Sequence, residues 1–459
     1  MRNGPNPIVK SLPYHWFDGD GCIFAVTFVD NATVLLENRW IRTDLLAVRN
    51  RTGSMRSFLA EIQYPWRALR AILLLVKGQI EGTSLKMTTG NTALLWHQKK
   101  LLALVRLLSR HCVSFCHASL QMEAAHPIEI DPVTLETRGM VVLPGMRSSL
   151  TAHPKFDRAA DELVSFGYIP PSSAVHYYVH RGGQPVHVGA VEFAETAEGK
   201  LYSRMPHDFA CTERWSLFYD SPPIRLHPLV LFGLSGAADP VPARLVFVPR
   251  HNSSAVRAVA VEPGAVFHFA NAFEENGVVT VIGCKSNQTG SYFNLEANRH
   301  IPYLYEWRVD VQRGVLVSER FLPSQLPSGR VALEFPSVNE RFAMRKTRFT
   351  YGMTIAADSE EHEGGRALAR YDHEQERATL FELPGGDWRF QEPLFVGSGA
   401  EAEEAGSLVT FVFNRASGLS SLLIVDAATM GQTALVPLGT RVPMGFHTLF
   451  LSRAAAARQ

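Results

Sequence analysis

The sequence predicts an all-β chain arranged as a seven-bladed β-propeller, with a helical and loop cap over a metal site on its axis. Three observations carry that expectation. Short β-favouring runs, punctuated by Gly, Pro, Asn and Asp, follow one another from about residue 91 to the end of the 459 residues. After about residue 150 there is almost no helical periodicity. Four histidines stand in similar frames: His153 in LTAHPKFD, His207 in MPHDFACTERW, His268 in VFHFANAFEE and His447 in MGFHTLFLS. They are about 54, 61 and 179 residues apart, the last step being close to three of the others. One residue from one unit, one from the next, and one from three units on is the pattern of a radially repeated fold. Seven units of roughly 60 residues use nearly the whole chain.

Composition narrows the class. A hydrophobic content of 46% with 19% charged residues is that of an ordinary globular protein. The net charge of +1, without any Lys/Arg-rich tract, gives no case for a nucleic-acid partner. Cys22, Cys112, Cys116, Cys211 and Cys284 form no CxxC pair and no even framework, which favours a reducing compartment and buried free thiols. The opening MRNGPNPIVKSLP lacks the apolar core of a secretory signal. No apolar run approaches the roughly 18–20 residues needed to span a bilayer. A soluble or peripherally membrane-associated protein, not a secreted one, is expected.

In chain order, YHWFDGDG leads into CIFAVTFVD and TVLLENRWIRT, which reads as a tight Asp/Gly turn feeding a strand, a second turn and another strand. The DGDG lacks the later carboxylates and closing glutamate of a calcium loop. Residues 56–82 place apolar residues at helical spacing with basic residues between them. That predicts a capping helix packed on its own protein, or one that dips into a membrane surface. NTALLWH, a Lys-Lys turn and LLALVRLL then begin the β region, and MEAAHPIEIDPVTLETRGMVVL reads as two β runs around a Pro/Asp turn. MPHDFACTERW reads as a short strand with His207 at its polar tip. VHYYVH, HVGAVEF, WSLFYD, ARLVFVPR, AVRAVAVE, VVTVIG, LYEWRVDV, VLVSERF, RVALEF, LVTFVFN, SSLLIVDAA and TALVPL are the further strands. EAEEAG is a solvated acidic loop, and no linker divides the chain, so residues 1–459 read as one domain.

A single histidine in a strand is most often a satisfied core or surface residue. Four in matching frames, none with a second histidine at the i+4 spacing of a helical metal site, suggest convergence on an axis. Four neutral imidazoles suit zinc, copper, iron or nickel, and they leave a divalent ion its full Lewis acidity. Such a ligand needs its other ring nitrogen fixed by an acceptor, usually a carboxylate. Glu123 in QMEAAHP, Glu334 in ALEFPSVN and Glu392 in QEPLFVG lie in otherwise apolar surroundings, where an unpartnered charge is costly.

RNGPNP with YHWFDGDG, NTALLWH, DPVTLETRG, TAHPKFD, HDFACTERW, FHFANAFEE, ALEFPSVNE, EPLFVG and GFHTLF occur in this order. Through them the chain resembles the carotenoid cleavage oxygenase family over nearly its whole length. The resemblance implies a seven-bladed β-propeller with a helical cap and an axial Fe(II) held by His153, His207, His268 and His447. It implies that Glu123, Glu334 and Glu392 pair with His207, His268 and His447 respectively, and that Thr92 stands beside the open iron position. The reaction implied is cleavage of a conjugated carbon–carbon double bond of a carotenoid or apocarotenoid by O2, giving carbonyl products without an organic cofactor.

Departures from the family pattern refine this. Family members acting on stilbenes carry a lysine before the first glutamate, where this chain has Met122, which cannot engage a phenol. That favours a long apolar polyene over a stilbene. Residues 105–121, VRLLSRHCVSFCHASLQ, interrupt a motif that would otherwise read LLALMEAAHPIEIDPVTLET. Val105 has codons beginning GT and Gln121 has CAG among its codons, so the stretch reads as an unspliced intron carried into translation. His111, Cys112, Cys116 and His117 inside it read as incidental, not as a metal motif. Family chains carry a further segment before RNGPNP, so truncation is expected, and with it goes any plastid-targeting peptide. Cytoplasm or plastid is the expected location, with peripheral membrane contact through 56–82. The rival readings are an inactive or misfolded polyene-binding propeller, and a stilbene-cleaving or retinoid isomerohydrolase activity.

Overall fold

The structure is a computed structural model that describes residues 1–6, 19–30, 33–44, 46–47, 50, 89–104, 126–168, 174–193, 202–203, 206–220, 224–225, 243–287, 301–355 and 364–456. Among these, six antiparallel sheets of four or five strands follow one another along the chain. Blade 1 holds Ala93–His97, Lys100–Leu104, Ile128–Ile130 and Thr137–Met140. Blade 2 holds Lys155–Asp157, Glu162–Gly167, Ala174–Arg181 and Gln184–Glu192. Blade 3 is Ala210–Cys211, Trp215–Asp220, Ala243–Pro249 and Arg257–Val261. Blade 4 is Ala265–Glu275, Val278–Ser286, Tyr303–Asp310 and Val315–Phe321. Blade 5 is Leu333–Ser337, Phe349–Thr354, Leu368–Asp372 and Arg377–Phe381. In blade 6, Trp388–Phe390 and Leu394–Gly397 both pair with Gly406–Asn414, followed by Leu419–Asp426 and Gly431–Pro437.

The sheets are held to one another by apolar side chains that alternate along each strand. Leu102 and Leu163 meet between blades 1 and 2, Phe166 and Val248 between 2 and 3, and Phe247 and Trp307 between 3 and 4. Cys284 and Leu333 meet between 4 and 5, and Tyr351 and Leu423 between 5 and 6. A three-stranded sheet, Arg2–Asn6, Asp20–Phe28 and Val34–Trp40, fills the remaining gap between blades 6 and 1. Its middle strand uses the two-residue period of a strand twice over. Cys22 and Phe24 pack with Phe411 and Leu422 of blade 6, while Ile23 and Ala25 pack with Leu94 and Ile128 of blade 1.

The propeller is therefore as expected, but the count of seven blades is not. Six complete blades are present, and three strands among the described residues occupy the closing position. Both faces of Asp20–Phe28 are covered, one by blade 6 and the other by blade 1. Gly21 is part of the reason the closing sheet fits. Its amide donates to Thr89 O at 2.8 Å, and a Cβ at this position would lie 2.6 Å from the carbonyl oxygens of Thr89 and Gly90. The two ends of the chain meet here as well, with Leu449 N donating to Met1 O at 2.8 Å.

The twelve later strand runs all form strands. MPHDFACTERW does not form one strand. Ala210–Cys211 is one short strand and Trp215 begins the next, because Thr212 turns the chain between them, its hydroxyl accepting from the amides of Arg214 and Trp215. In DPVTLETRG the turn follows the same logic: Asp131 Oδ1 accepts from the amides of Val133 and Thr134, each at 2.8 Å. These bonds, with Arg138 alongside, lower the Asp131 carboxyl to about 2. Cys22, Cys211 and Cys284 are buried free thiols, and burial pushes Cys211 up to about 11. The expected capping helix at 56–82, the stretch 105–121 and Glu123 lie outside the described residues. Among the described residues no helix is long and apolar enough to cross a membrane.

The ladder of blade 1 bears on residues 105–121. Leu101 faces Ile130 and Ala103 faces Ile128, so the chain leaves the sheet at Leu104 and re-enters it at the neighbouring position. Whatever lies between is a closed excursion from a fixed register. Deleting 105–121 shortens it roughly fourfold, which lowers the chain-closure cost by about 1 kcal/mol. The deleted protein is expected to melt at the same temperature as the full chain or a few degrees above it. A clear drop in melting temperature by circular dichroism would show that this stretch contributes to the folded core.

Candidate metal centre

The first strand of each blade lines the axis, and the candidate residues sit on or just before these strands. His153 precedes Lys155–Asp157 of blade 2, and His207 precedes Ala210–Cys211 of blade 3. His268 lies in Ala265–Glu275 of blade 4, Glu334 in Leu333–Ser337 of blade 5, and Glu392 between the two inner strands of blade 6. His447 follows the last blade and is fastened to the first, its amide donating to Thr92 O at 3.2 Å.

The structure brings the four histidines together. One ring nitrogen from each lies within 4.8 Å of all the others. Nε2 of His207 is 2.9 Å from Nε2 of His153 and 3.3 Å from Nε2 of His268. Donors sharing one ion at metal–nitrogen bonds of about 2.0–2.1 Å are spaced at roughly 3.0–3.4 Å, so the set fits a single cation. The rings are mostly hidden from solvent, His207 at 7% exposure and His268 at 3%.

Two of the three candidate glutamates bond to histidines of this group. Glu334 Oε2 accepts from His268 Nδ1 at 2.5 Å and from the Phe335 amide at 2.7 Å. Glu392 Oε1 accepts from His447 Nδ1 at 2.7 Å, and its Oε2 accepts from the Thr448 amide at 2.6 Å. With Nδ1 committed as donor, Nε2 of both rings carries a bare lone pair that faces the cluster. Lone pairs aimed at one another repel, and a cation among them turns repulsion into four bonds. Thr92 is buried beside this group; its hydroxyl donates to Asn91 Oδ1 at 3.1 Å, and Asn91 Nδ2 donates in turn to Gly19 O at 2.7 Å.

Backbone irregularities aim these side chains. The ladder of blade 4 slips on both sides of Phe269, so His268 drops out of register and projects from a bulge. A second slip follows Glu334, where Phe335 takes a left-handed φ of 51°. A phenylalanine in that region costs about 1–3 kcal/mol and is characteristic of a constrained functional site.

Several residues at the centre escaped the sequence reading. Phe267 stacks on His207 with ring centroids 4.0 Å apart, and Phe335 lies beside His268 and His447 at 5.1 and 5.4 Å. Aromatics in β runs carry no distinguishing signal. Asp208 did carry one: it is a carboxylate in an apolar run, the same criterion that selected the glutamates.

A ring of β-sheets with four convergent imidazoles on its axis, two of them backed by carboxylates, defines a propeller protein built around a metal site. Residues 1–452 match the family described as retinal pigment epithelial membrane protein. The chain belongs to this family, the carotenoid cleavage oxygenases. The carotenoid 9,10(9′,10′)-cleavage dioxygenase of Crocus sativus is 29% identical, over 98% of this chain and 83% of the relative. The isoeugenol monooxygenase of Pseudomonas putida is 26% identical, over 99% of this chain and 91% of the relative. A mutant of the Synechocystis apocarotenoid oxygenase superposes with a TM-score of 0.76 at 23% identity, covering 97% of this chain and 90% of that one. The Pseudomonas brassicacearum lignostilbene dioxygenase gives 0.75 at 23% identity with the same coverage. These two likenesses establish a shared fold.

Glu392→Gln keeps the size of the side chain but replaces one acceptor with a donor, so it can no longer accept from both His447 Nδ1 and the Thr448 amide. Metal affinity, measured by competition with a chelator, is expected to fall about 10- to 100-fold with the fold intact by circular dichroism. Unchanged affinity would mean that Glu392 does not orient the ring.

Proposed function

We propose that this chain is a non-haem Fe(II) dioxygenase that cleaves one conjugated C=C bond of a carotenoid or apocarotenoid with O2. The observation that carries the reading is the convergence of four imidazole nitrogens with carboxylates behind two of them. On this reading His153, His207, His268 and His447 hold the iron, while Glu334 and Glu392 fix their rings. Glu123 is proposed to serve His207 in the same way. When bound, Fe(II) supplies a Lewis-acidic centre of full charge, able to bind and polarise oxygen ligands.

The reaction balances without an external reductant. The double bond and O2 become two carbonyl groups, each taking one oxygen atom, and the alkene provides the electrons. The chain's own contribution is to hold and exclude. Phe267 and Phe335 wall the histidines with apolar surface, which keeps water from the centre and offers flat faces to a conjugated substrate. Thr92, whose carbonyl accepts from the His447 amide, is proposed to stand beside the open iron position.

Relatives named for carotenoid cleavage support the substrate class, and Met122 in place of a lysine favours an apolar polyene over a phenolic stilbene. A substrate this insoluble is drawn from membranes or carriers. Residues 56–82 are the proposed membrane contact, and a soluble or peripherally bound protein of cytoplasm or plastid is the proposed setting.

The decisive assay follows oxygen and polyene together on the Fe(II)-loaded chain. One O2 consumed per polyene cleaved, with two carbonyl products, is expected. His207→Ala is expected to lose both metal and oxygen uptake. Polyene ester opened or isomerised without oxygen uptake would replace this reading with a Lewis-acid isomerohydrolase. A wild-type chain that binds polyene but no iron would make it a binding propeller.

A further inference from the structure

We propose that Asp208 is a positioning residue for the metal centre, its one buried carboxylate fastening together the three chain segments that carry His153, His207 and His268. The carboxylate is 5% exposed and collects three donors, each adjacent or nearly adjacent to a different histidine. Oδ1 accepts at 2.7 Å from the amide of the next residue, Phe209, just before the strand Ala210–Cys211 that follows His207. The Lys155 ammonium is 2.7 Å from the same oxygen and stands two residues after His153. Oδ2 accepts at 2.8 Å from the amide of Phe269, the residue after His268. Blades 2, 3 and 4 are thus joined at one side chain, at the height of the imidazoles.

A carboxylate is needed because all three partners are donors, and an ionised carboxylate is acceptor-only. A carboxamide in its place must turn its NH2 toward one of them. Thr151 adds a second tie: its hydroxyl donates to His207 O at 3.5 Å and accepts from the His153 amide at 3.1 Å. His447 has a separate anchor, through Thr92 on blade 1. The three histidines fastened by Asp208 include both short nitrogen–nitrogen spacings, 2.9 and 3.3 Å. A metal site is useful only if such spacings are held within about 0.5 Å. Asp208 touches neither ring nor substrate position, so its effect passes through the histidines.

This inference rests on the four-histidine metal reading, and the test separates the two. Wild-type protein is loaded with Fe(II) and, in parallel, with Co(II), whose visible spectrum reports the ligand field. A wild type that takes up neither ion overturns the metal reading itself. With loaded wild type in hand, Asp208→Asn is expected to release metal to a chelator about 10- to 100-fold faster and to alter the Co(II) spectrum. Asp220→Asn is the control: it breaks a comparably buried ion pair, to Arg244, between the second and third strands of blade 3. It is expected to lower the melting temperature but leave release rate and spectrum unchanged. If Asp208→Asn does not fold, Lys155→Met removes only the ammonium and is expected to speed release several-fold. Unchanged release and spectrum in the folded Asp208 or Lys155 variant would overturn the proposal. So would an equal acceleration in Asp220→Asn, which would trace the effect to general destabilisation.

Discussion

Four ring nitrogens confined within 4.8 Å of one another are the constraint on which the rest of this structure depends. They come from residues spread over nearly 300 positions, roughly two-thirds of the chain, and no local element could bring them together. Only a closed ring of sheets does so, because each sheet turns the next through a fixed fraction of the circle. An error at any sheet interface would therefore propagate to the axis. The interfaces are accordingly dry and large-residued, with Trp307, Tyr351 and Phe247 essentially without exposure. Close packing of that kind deforms little, which is what an axial site needs.

Two irregularities of the sheets fall at the site itself. Other ladders carry single slips, but at the centre His268 leaves its ladder through a double slip and Glu334 is followed by a phenylalanine at φ 51°. Both departures re-aim a polar side chain from the sheet face toward the axis. Regular sheet geometry would bury the imidazole between blades, where it would serve only packing. The strain, about 1–3 kcal/mol at Phe335, is offset by the bonds it makes possible, including the amide of that same residue on Glu334.

Much of the fold was legible because strand alternation and turn residues are local signals. The twelve later strands read directly, and the convergence of the four histidines could be anticipated, since polar groups in apolar runs need a reason. The blade count was not legible, because dividing the chain by a repeat length assumes equal units. Among the described residues the closing sheet has three strands, with Cys22 and Phe24 facing blade 6 and Ile23 and Ala25 facing blade 1. MPHDFACTERW misread for a similar reason: its apolar content suggested one strand, but Thr212 had the hydroxyl to cap a turn. Phe267 and Phe335 were invisible because an aromatic beside a metal ligand looks like any other aromatic in a strand. Asp208 was visible and overlooked; its neighbour His207 drew the attention its own burial warranted.

The carboxylates around the centre divide into two kinds, and charge explains why. The imidazoles are neutral donors, so the proposed ion keeps its double positive charge in a site where water is scarce. Glu334 and Glu392 accept from N–H donors only and lie one ring away, so together they return two negative charges. Ion and glutamates thus stabilise one another through the rings, and loss of either leaves a buried charge without its counterpart. Asp208 stands outside this balance, because the Lys155 ammonium at 2.7 Å already neutralises it. A neutral pair can fasten three chain segments without altering the field at the ion. Charge balance and ring orientation therefore fall to Glu334 and Glu392, while Asp208 holds the chain segments together without adding net charge.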